Sequence, residues 1–306
     1  MLSMSFTDFM FMVIKRFCER PDFSIQDFNT VVAILLAMQT LVILGRQPAI
    51  GLAELESLYG AEVVTPLKGN GAMLDIEAKA IDFLRLGGVV KASKILTTLP
   101  TTNWKEIEKF LIPATKEHAE DLPEGKLTIG LSVYGVDVSR QELERTALSI
   151  KKQIKSTGRP VRIVPNKAPE ISTPQIIHNK LTGPNGWELV FYRSGDTTII
   201  AQTTDIQDIE SYTARDQARP MRDARVGMLP PKLAQTIINL ACGMLPQNGV
   251  NLDEARGASK NSKEDAHTSA STAGRSGNEA IRQVNTILDP FCGTGVILQE
   301  AQLMGY

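Results

Sequence analysis

The fold turns on one stretch, KLTIGLSVYGVD, residues 126–137. Its apolar residues alternate: Leu127, Ile129, Leu131 and Val133 fall on one face of an extended chain. That is the period-two pattern of a half-buried strand. The period then changes. Ser139 and Glu142 have the S-x-x-E spacing of a capping box, in which hydroxyl and carboxylate satisfy each other's backbone amides. Leu143, Ala147, Ile150 and Ile154 recur at helical spacing, and Gly158-Arg159-Pro160 ends the helix. A strand running directly into an amphipathic helix is the opening of an α/β unit.

Downstream the unit continues. Residues 161–164 read as a strand, and Thr173-Pro174 opens a second helix carrying Ile176, Ile177 and Leu181. Residues 187–193 and 197–204 read as two strands joined by a hairpin turn at Ser194-Gly195-Asp196. Upstream, residues 40–45 read as a buried first strand. A helix follows, with Leu52, Leu55 and Leu58 on one side, Glu54 and Glu56 on the other, and Gly60 as its stop. Residues 87–96 read as a turn into a strand. Residues 104–111 read as a short amphipathic helix with Ile107, Phe110 and Leu111. Residues 112–125, with Pro113, Pro123 and Gly125, read as loop.

The flanks read differently. Residues 31–44, VVAILLAMQTLVIL, are the most apolar run but number only 14, against about 20 for a bilayer span. The start, MLSMSFTDFMF, has no early Lys or Arg for a signal peptide. From Met38 the sequence is a complete strand–loop–helix opening, so translation is expected to begin there, with residues 1–37 a doubtful extension. Residues 205–246 read as a linker plus a packing helix opened by Pro230-Pro231, with Leu233, Ile237, Leu240 and Met244 on one face. Residues 247–285 have no aromatic and only Val250, Leu252, Ile281 and Val284 as large aliphatics. Such a stretch cannot offset its ordering entropy and is expected to be a disordered insert.

Over 306 residues the chain is 42% hydrophobic and 22% charged, which excludes a fibrous or globally disordered protein. The net charge of −1 argues by itself against a nucleic-acid partner. That charge is unevenly spread: residues 1–125 carry −4, residues 126–204 carry +5 and residues 205–306 carry −2. In the basic unit Lys151, Lys152, Lys155, Arg159 and Arg162 lie close together. They read as a phosphate-facing surface or as the solvated face of a helix, and charge alone leaves both open. Arg215, Arg219, Arg222 and Arg225 form a second basic group. Cys18, Cys242 and Cys292 have neither disulfide-framework nor zinc spacing, and His118, His178 and His267 are isolated, so no metal site is expected. A reducing, cytoplasmic setting is the default for such cysteine usage.

Near the end, Thr286, Ile287 and Leu288 read as a short strand running into Asp289-Pro290-Phe291-Cys292-Gly293-Thr294-Gly295. A helix with Val296, Ile297, Gln299, Glu300, Ala301 and Leu303 follows. Strand, glycine turn and helix open a Rossmann-like sheet. Gly293 and Gly295 let backbone approach a ligand closely, and Asp289 stands where a carboxylate can meet a ligand ammonium. The spacing is neither G-x-G-x-x-G nor a P-loop, and no Lys follows the glycines, so a phosphate cradle is disfavoured.

DPFCGTG resembles the first S-adenosylmethionine-binding motif of class I methyltransferases, in the form typical of RNA guanine-N2 methyltransferases. Residues 207–241, QDIESYTARDQARPMRDARVGMLPPKLAQTIINLA, resemble the segment before that motif in THUMP-containing tRNA guanine-N2 methyltransferases. VILGRQPAIGLAELESLYG, residues 42–60, resembles the ferredoxin-like start of the same family, and residues 126–204 resemble the end of its THUMP domain.

The resemblance implies a mixed α/β and α+β architecture. Residues 38–99 would be a ferredoxin-like domain and 100–204 a THUMP-like RNA-binding domain. Residues 205–246 would link them to the first strand–helix unit of a Rossmann-like methyltransferase domain at 286–306. It implies S-adenosylmethionine as cofactor, held by Asp289, Pro290, Phe291, Gly293, Thr294 and Gly295, and Cys292 as a loop residue rather than a nucleophile, because direct transfer to an amine needs none. The implied partner is tRNA, with rRNA or DNA as alternative substrates and a non-catalytic RNA-binding adaptor as the reading from another class. The family's Asp/Asn-Pro-Pro-Tyr/Phe catalytic motif does not follow residue 295, and neither does the ribose-binding acid. The chain is therefore expected to be a C-terminally truncated methyltransferase, inactive as it stands, with weak or no cofactor binding.

Overall fold

The computed structural model describes residues 39–120, 124–218, 228–243 and 286–306. The expected start at Met38, the extension 1–37, the insert 247–285, Met244, Cys18, His267 and Arg219, Arg222 and Arg225 lie outside the described residues.

Among the described residues there are eight strands and seven α-helices. The strands are β1 (Thr40–Leu44), β2 (Val64–Pro66), β3 (Gly71–Leu74), β4 (Val89–Leu99), β5 (Leu127–Tyr134), β6 (Val161–Ile163), β7 (Gly186–Ser194) and β8 (Thr197–Ile206). The helices are α1 (Pro48–Tyr59), α2 (Trp104–Glu120), α3 (Arg140–Lys155), α4 (Thr173–His178), α5 (Ile209–Gln217), α6 (Pro231–Cys242) and α7 (Val296–Leu303). All eight strands form one sheet in the order β2-β3-β1-β4-β8-β7-β5-β6. Pairing is antiparallel from β2 through β7; β5 pairs in parallel with both β7 and β6. The expected domain boundary at residues 99/100 thus falls where β4 pairs with β8 inside a continuous sheet.

The KLTIGLSVYGVD stretch folds as its period requires. Leu127, Ile129, Leu131 and Val133 are buried on one face of β5. The Ser139–Glu142 capping box forms, with the Glu142 amide donating to Ser139 Oγ at 3.2 Å and the Ser139 amide to Glu142 Oε2 at 3.0 Å. The Ser139 hydroxyl, donating to Glu142 Oε2 at 2.7 Å, and then the Ser139 amide hold the Glu142 carboxyl below its ordinary range. Leu143, Ala147, Ile150 and Ile154 face the sheet. The order strand, helix, strand, helix, strand, strand is observed as β5, α3, β6, α4, β7, β8.

Three readings are corrected. The helix after Asn103 does not stop at Leu111 but runs through Pro113 to Glu120. Its buried stripe continues as Trp104, Ile107, Leu111, Thr115 and Ala119, so packing holds the helix across the missing proline amide. Glu54 is not on the solvent side of α1; it is fully buried. Residues 286–288 form no strand. No described strand pairs with them, and an unpaired strand leaves its ladder groups without partners.

One face of the sheet carries two cores. α2 and α3 cover Ile129, Leu131, Val133, Trp187 and Phe191, and α1 covers Val42, Leu44, Leu74 and Val89. Trp104 anchors the first: its ring meets Phe191 edge-on at 5.2 Å and its indole N–H donates to Thr146 Oγ1 at 3.0 Å. On the other face Leu41, Ile43, Val190, Tyr192, Ile199 and Ala201 form a third cluster. A buried ion pair crosses between sheet halves: Lys91 Nζ on β4 lies 2.6 Å from Glu188 Oε1 on β7.

Candidate functional site

The basic residues sit at one end of the sheet. Lys151, Lys152 and Lys155 lie in the last turns of α3, where positive charge also complements the carbonyl end of the helix. Lys152 and Lys155 are exposed and Lys151 is half-buried; Arg162 is exposed on β6, the edge strand. None of these four makes an ion pair with another described residue. Arg159 differs. Its guanidinium donates to the Ala119 carbonyl at 2.6 Å, to Asn185 Oδ1 at 2.8 Å and to the Gly125 carbonyl at 3.2 Å. It ties the end of α2 to the turns before β5 and β7, so its guanidinium is held by the fold.

The glycine loop is built into the start of α7. Gly293 (φ 48°) and Gly295 (φ 78°) occupy the left-handed region, and a Cβ on Gly295 would meet nothing within 4 Å. The Gly295 amide donates to the Cys292 carbonyl at 2.6 Å, and the Phe291 amide to Asp289 Oδ1 at 3.0 Å. These bonds close a tight turn whose Pro290, Phe291 and Gly293 are exposed and whose Asp289 and Thr294 are half-buried. Phe291 is 91% exposed. The structure brings the six loop residues together. It does not bring them to the basic cluster: the loop leads into α7, which packs on α6, which in turn packs on α1 over the opposite half of the sheet.

α6 carries the part that sequence reasoning missed. Its stripe of Leu233, Ile237 and Leu240 was expected to pack, yet each is exposed, at 37%, 38% and 41%. The buried face instead holds Ala234, Gln235, Thr236, Ile238 and Asn239. The reason is the surface it meets. Fully buried Glu54 accepts from the Gly87 amide at 3.0 Å, the Gly88 amide at 2.7 Å and Asn239 Nδ2 at 2.7 Å. Burial pushes its carboxyl above the ordinary value, against the pull of those donors. A cleft of about 420 Å³ lies beside this contact, lined by Arg85, Tyr212, Arg215, Gln235, Glu300 and Met304 among others. Arg215 Nε pairs with Glu300 at 3.0 Å and the guanidinium stacks 4.4 Å from the Tyr212 ring centroid.

Among the described residues no group of His, Cys, Asp and Glu could hold a metal ion. His118 stacks on Trp187 at 5.0 Å, and Cys292 is exposed in the loop. No helix of the described residues is long and apolar enough to cross a membrane.

No protein-family model and no curated protein matches the chain. Among solved structures it is similar to TrmN from Thermus thermophilus, at 16% identity and TM-score 0.37, over 66% of this chain and 54% of that one. It is similar to a possible methylase from Clostridium difficile 630, at 12% identity and TM-score 0.41, over 88% of this chain and 55% of that one. A 4-thiouridine synthetase in an RNA complex with bound ATP matches at 14% identity and TM-score 0.32, over 54% of this chain and 40% of the other. The chain spans about half the length of the first solved structures it matches.

Proposed function

We propose that this chain is the RNA-binding half, with the first loop of the cofactor site, of an S-adenosylmethionine-dependent methyltransferase that modifies guanine N2 in tRNA. The observation that carries the reading is the loop from Asp289 to Gly295: a tight turn with two left-handed glycines opening a helix, in a string that resembles a cofactor-binding motif. Asp289, Pro290, Phe291, Gly293, Thr294 and Gly295 would contact the cofactor. The chemistry supplied by the cofactor is an electrophilic methyl group, and the chain's part is pocket and orientation.

Two further features support it. The order β2-β3-β1-β4, antiparallel throughout with α1 between β1 and β2, suits a ferredoxin-like unit. Residues 126–204, from the start of β5 into β8, carry +5 and suit a THUMP-like module, with Lys151, Lys152, Lys155 and Arg162 as its phosphate contacts. Arg159 drops to a supporting role, because each of its guanidinium nitrogens already donates within the fold. Modules of this kind read RNA by shape and backbone.

The test is binding of an unmodified tRNA transcript, against duplex DNA of equal length, across a salt series. The triple variant Lys151→Glu, Lys152→Glu, Lys155→Glu should bind tRNA at least about tenfold more weakly. Its log–log salt slope should fall by about 2, since each phosphate the lysines no longer neutralise removes about 0.7–0.9. Equal binding of wild type and variant would refute the interface, and preference for the DNA would refute the substrate class.

A further inference from the structure

α6 docks by its polar side. Asn239 is at the centre of the contact. Its Nδ2 donates to Glu54 Oε1 at 2.7 Å and to the Arg85 carbonyl at 2.8 Å, while its Oδ1 accepts from Arg85 Nε at 3.1 Å. Ser57 Oγ donates to the Asn239 carbonyl at 3.1 Å. Gln235 Nε2 donates to the Leu84 carbonyl at 2.9 Å and its Oε1 accepts from the Tyr212 hydroxyl. The turn that meets them passes between α1 and α6 only because it is glycine: a Cβ on Gly87 would stand 2.2 Å from the Lys232 carbonyl oxygen, and one on Gly88 would stand 2.7 Å from Gly51 Cα. Beyond the contact, the other end of Arg85 bonds the Tyr306 hydroxyl just past α7, and Arg215 on α5 pairs with Glu300 within it.

An apolar interface tolerates sliding. A buried carboxylate aimed at three N–H donors does not, because a shift of one turn strands the carboxylate and costs its whole desolvation. We infer that Glu54 and Asn239 are positioning residues that fix α6, and through it α7 and the glycine loop, in a single register on the N-terminal part of the sheet. For the proposed function, which this rests on for its purpose, they would set the separation between the RNA surface at α3 and β6 and the methyl donor at residues 289–295. The docking itself does not depend on that function, and neither does its test.

The test is hydrogen exchange by mass spectrometry on the full chain. In Asn239→Ala, amides of α6 and α7 should exchange at least about tenfold faster, while β1, β4 and β8 keep their wild-type protection. Unchanged exchange in α6 and α7 would overturn the inference. So would loss of protection throughout β1, β4 and β8, because the residues would then hold the fold rather than an orientation. Asn239→Asp supplies a reading that a packing role would not give. It sets a second carboxylate against Glu54, and two carboxylates sharing one site cannot both ionise cheaply. Protection of α6 should be close to wild type near pH 5, where one proton is shared, and lost near pH 8. The other ionisable groups near Glu54 are Arg85 on the turn, Tyr59 on its own helix and Tyr212 on α5, both tyrosines being pushed up to about 12 by burial. Neither tyrosine titrates between those pH values. A pH-independent Asn239→Asp variant would overturn the inference.

Discussion

Replacing Lys91 by Met tests how the two halves of the sheet are joined. The Lys91 ammonium, 3% exposed, lies 2.6 Å from Glu188 Oε1 and donates to the Ile171 carbonyl at 3.0 Å. Glu188, fully buried, also accepts from Ser132 Oγ at 2.5 Å and Thr203 Oγ1 at 2.6 Å. The four side chains come from β4, β5, β7 and β8 and close a complete network. Met keeps most of the aliphatic stem but removes the cation. Glu188 is left as a buried carboxylate with two hydroxyl donors, and Ile171 loses a donor. Removing one partner of a buried pair costs about 3–5 kcal/mol. For a chain of this size that lowers Tm by on the order of 10 °C. Adding Glu188→Gln removes the stranded charge and keeps an acceptor for one hydroxyl, so the double variant should recover about half of the loss. Urea unfolding with m-values read alongside is the assay. A cost below about 1 kcal/mol for Lys91→Met, or a double variant as costly as the two singles added, would refute a coupled network.

Two further outcomes follow from the same reasoning. Burial raises the Glu54 carboxyl above its ordinary 4.5, so the folded chain holds this proton more tightly than the unfolded chain. Its contribution is therefore most favourable in acid, and stability is lost as pH rises from about 4.5 through the folded value; in Glu54→Gln this part of the slope should vanish, and an unchanged slope in urea unfolding would count against the assignment. Arg159→Ala removes three bonds from one guanidinium and should cost about 2 kcal/mol in urea unfolding. Its tRNA salt slope should stay near wild type, and a drop of about 1 would return Arg159 to the phosphate surface.

Apolar periodicity made β5 and α3 legible, because each turns its apolar side chains to one shared core and a period records which face that is; β7 and β8 bury side chains on both faces. Leu127, Ile129, Leu131 and Val133 are buried in a row, as the alternation requires. The same logic failed where a face is polar and still buried. On α1, Glu54 has the spacing of a solvated residue and no local signal distinguishes it from Glu56, which is exposed. On α6, Leu233, Ile237 and Leu240 have the spacing of a packed stripe and stand outward. Both errors have one cause: the partner that decides burial is far away in the chain. Asn239 lies 185 residues from Glu54, and nothing near either residue names the other.

The glycine turn and the run of basic residues are legible as local features for a related reason, since each lies within a few residues of chain. What joins them is not local. Charge averaged over the chain hid the +5 unit, and hydropathy averaged over α6 hid which side docks. The residues that relate the two motifs in space are Glu54, Arg85, Asn239 and the glycines at 87 and 88, all recognisable only once the chain has brought two amides and a carboxamide within 3.0 Å of one carboxylate. A search for the equivalent signal in a sequence would look for a helix whose polar residues recur at the spacing of a buried face, as Gln235, Thr236 and Asn239 do here. Such a helix needs a partner surface with its own buried polar groups, and the fold must supply it or leave the helix undocked.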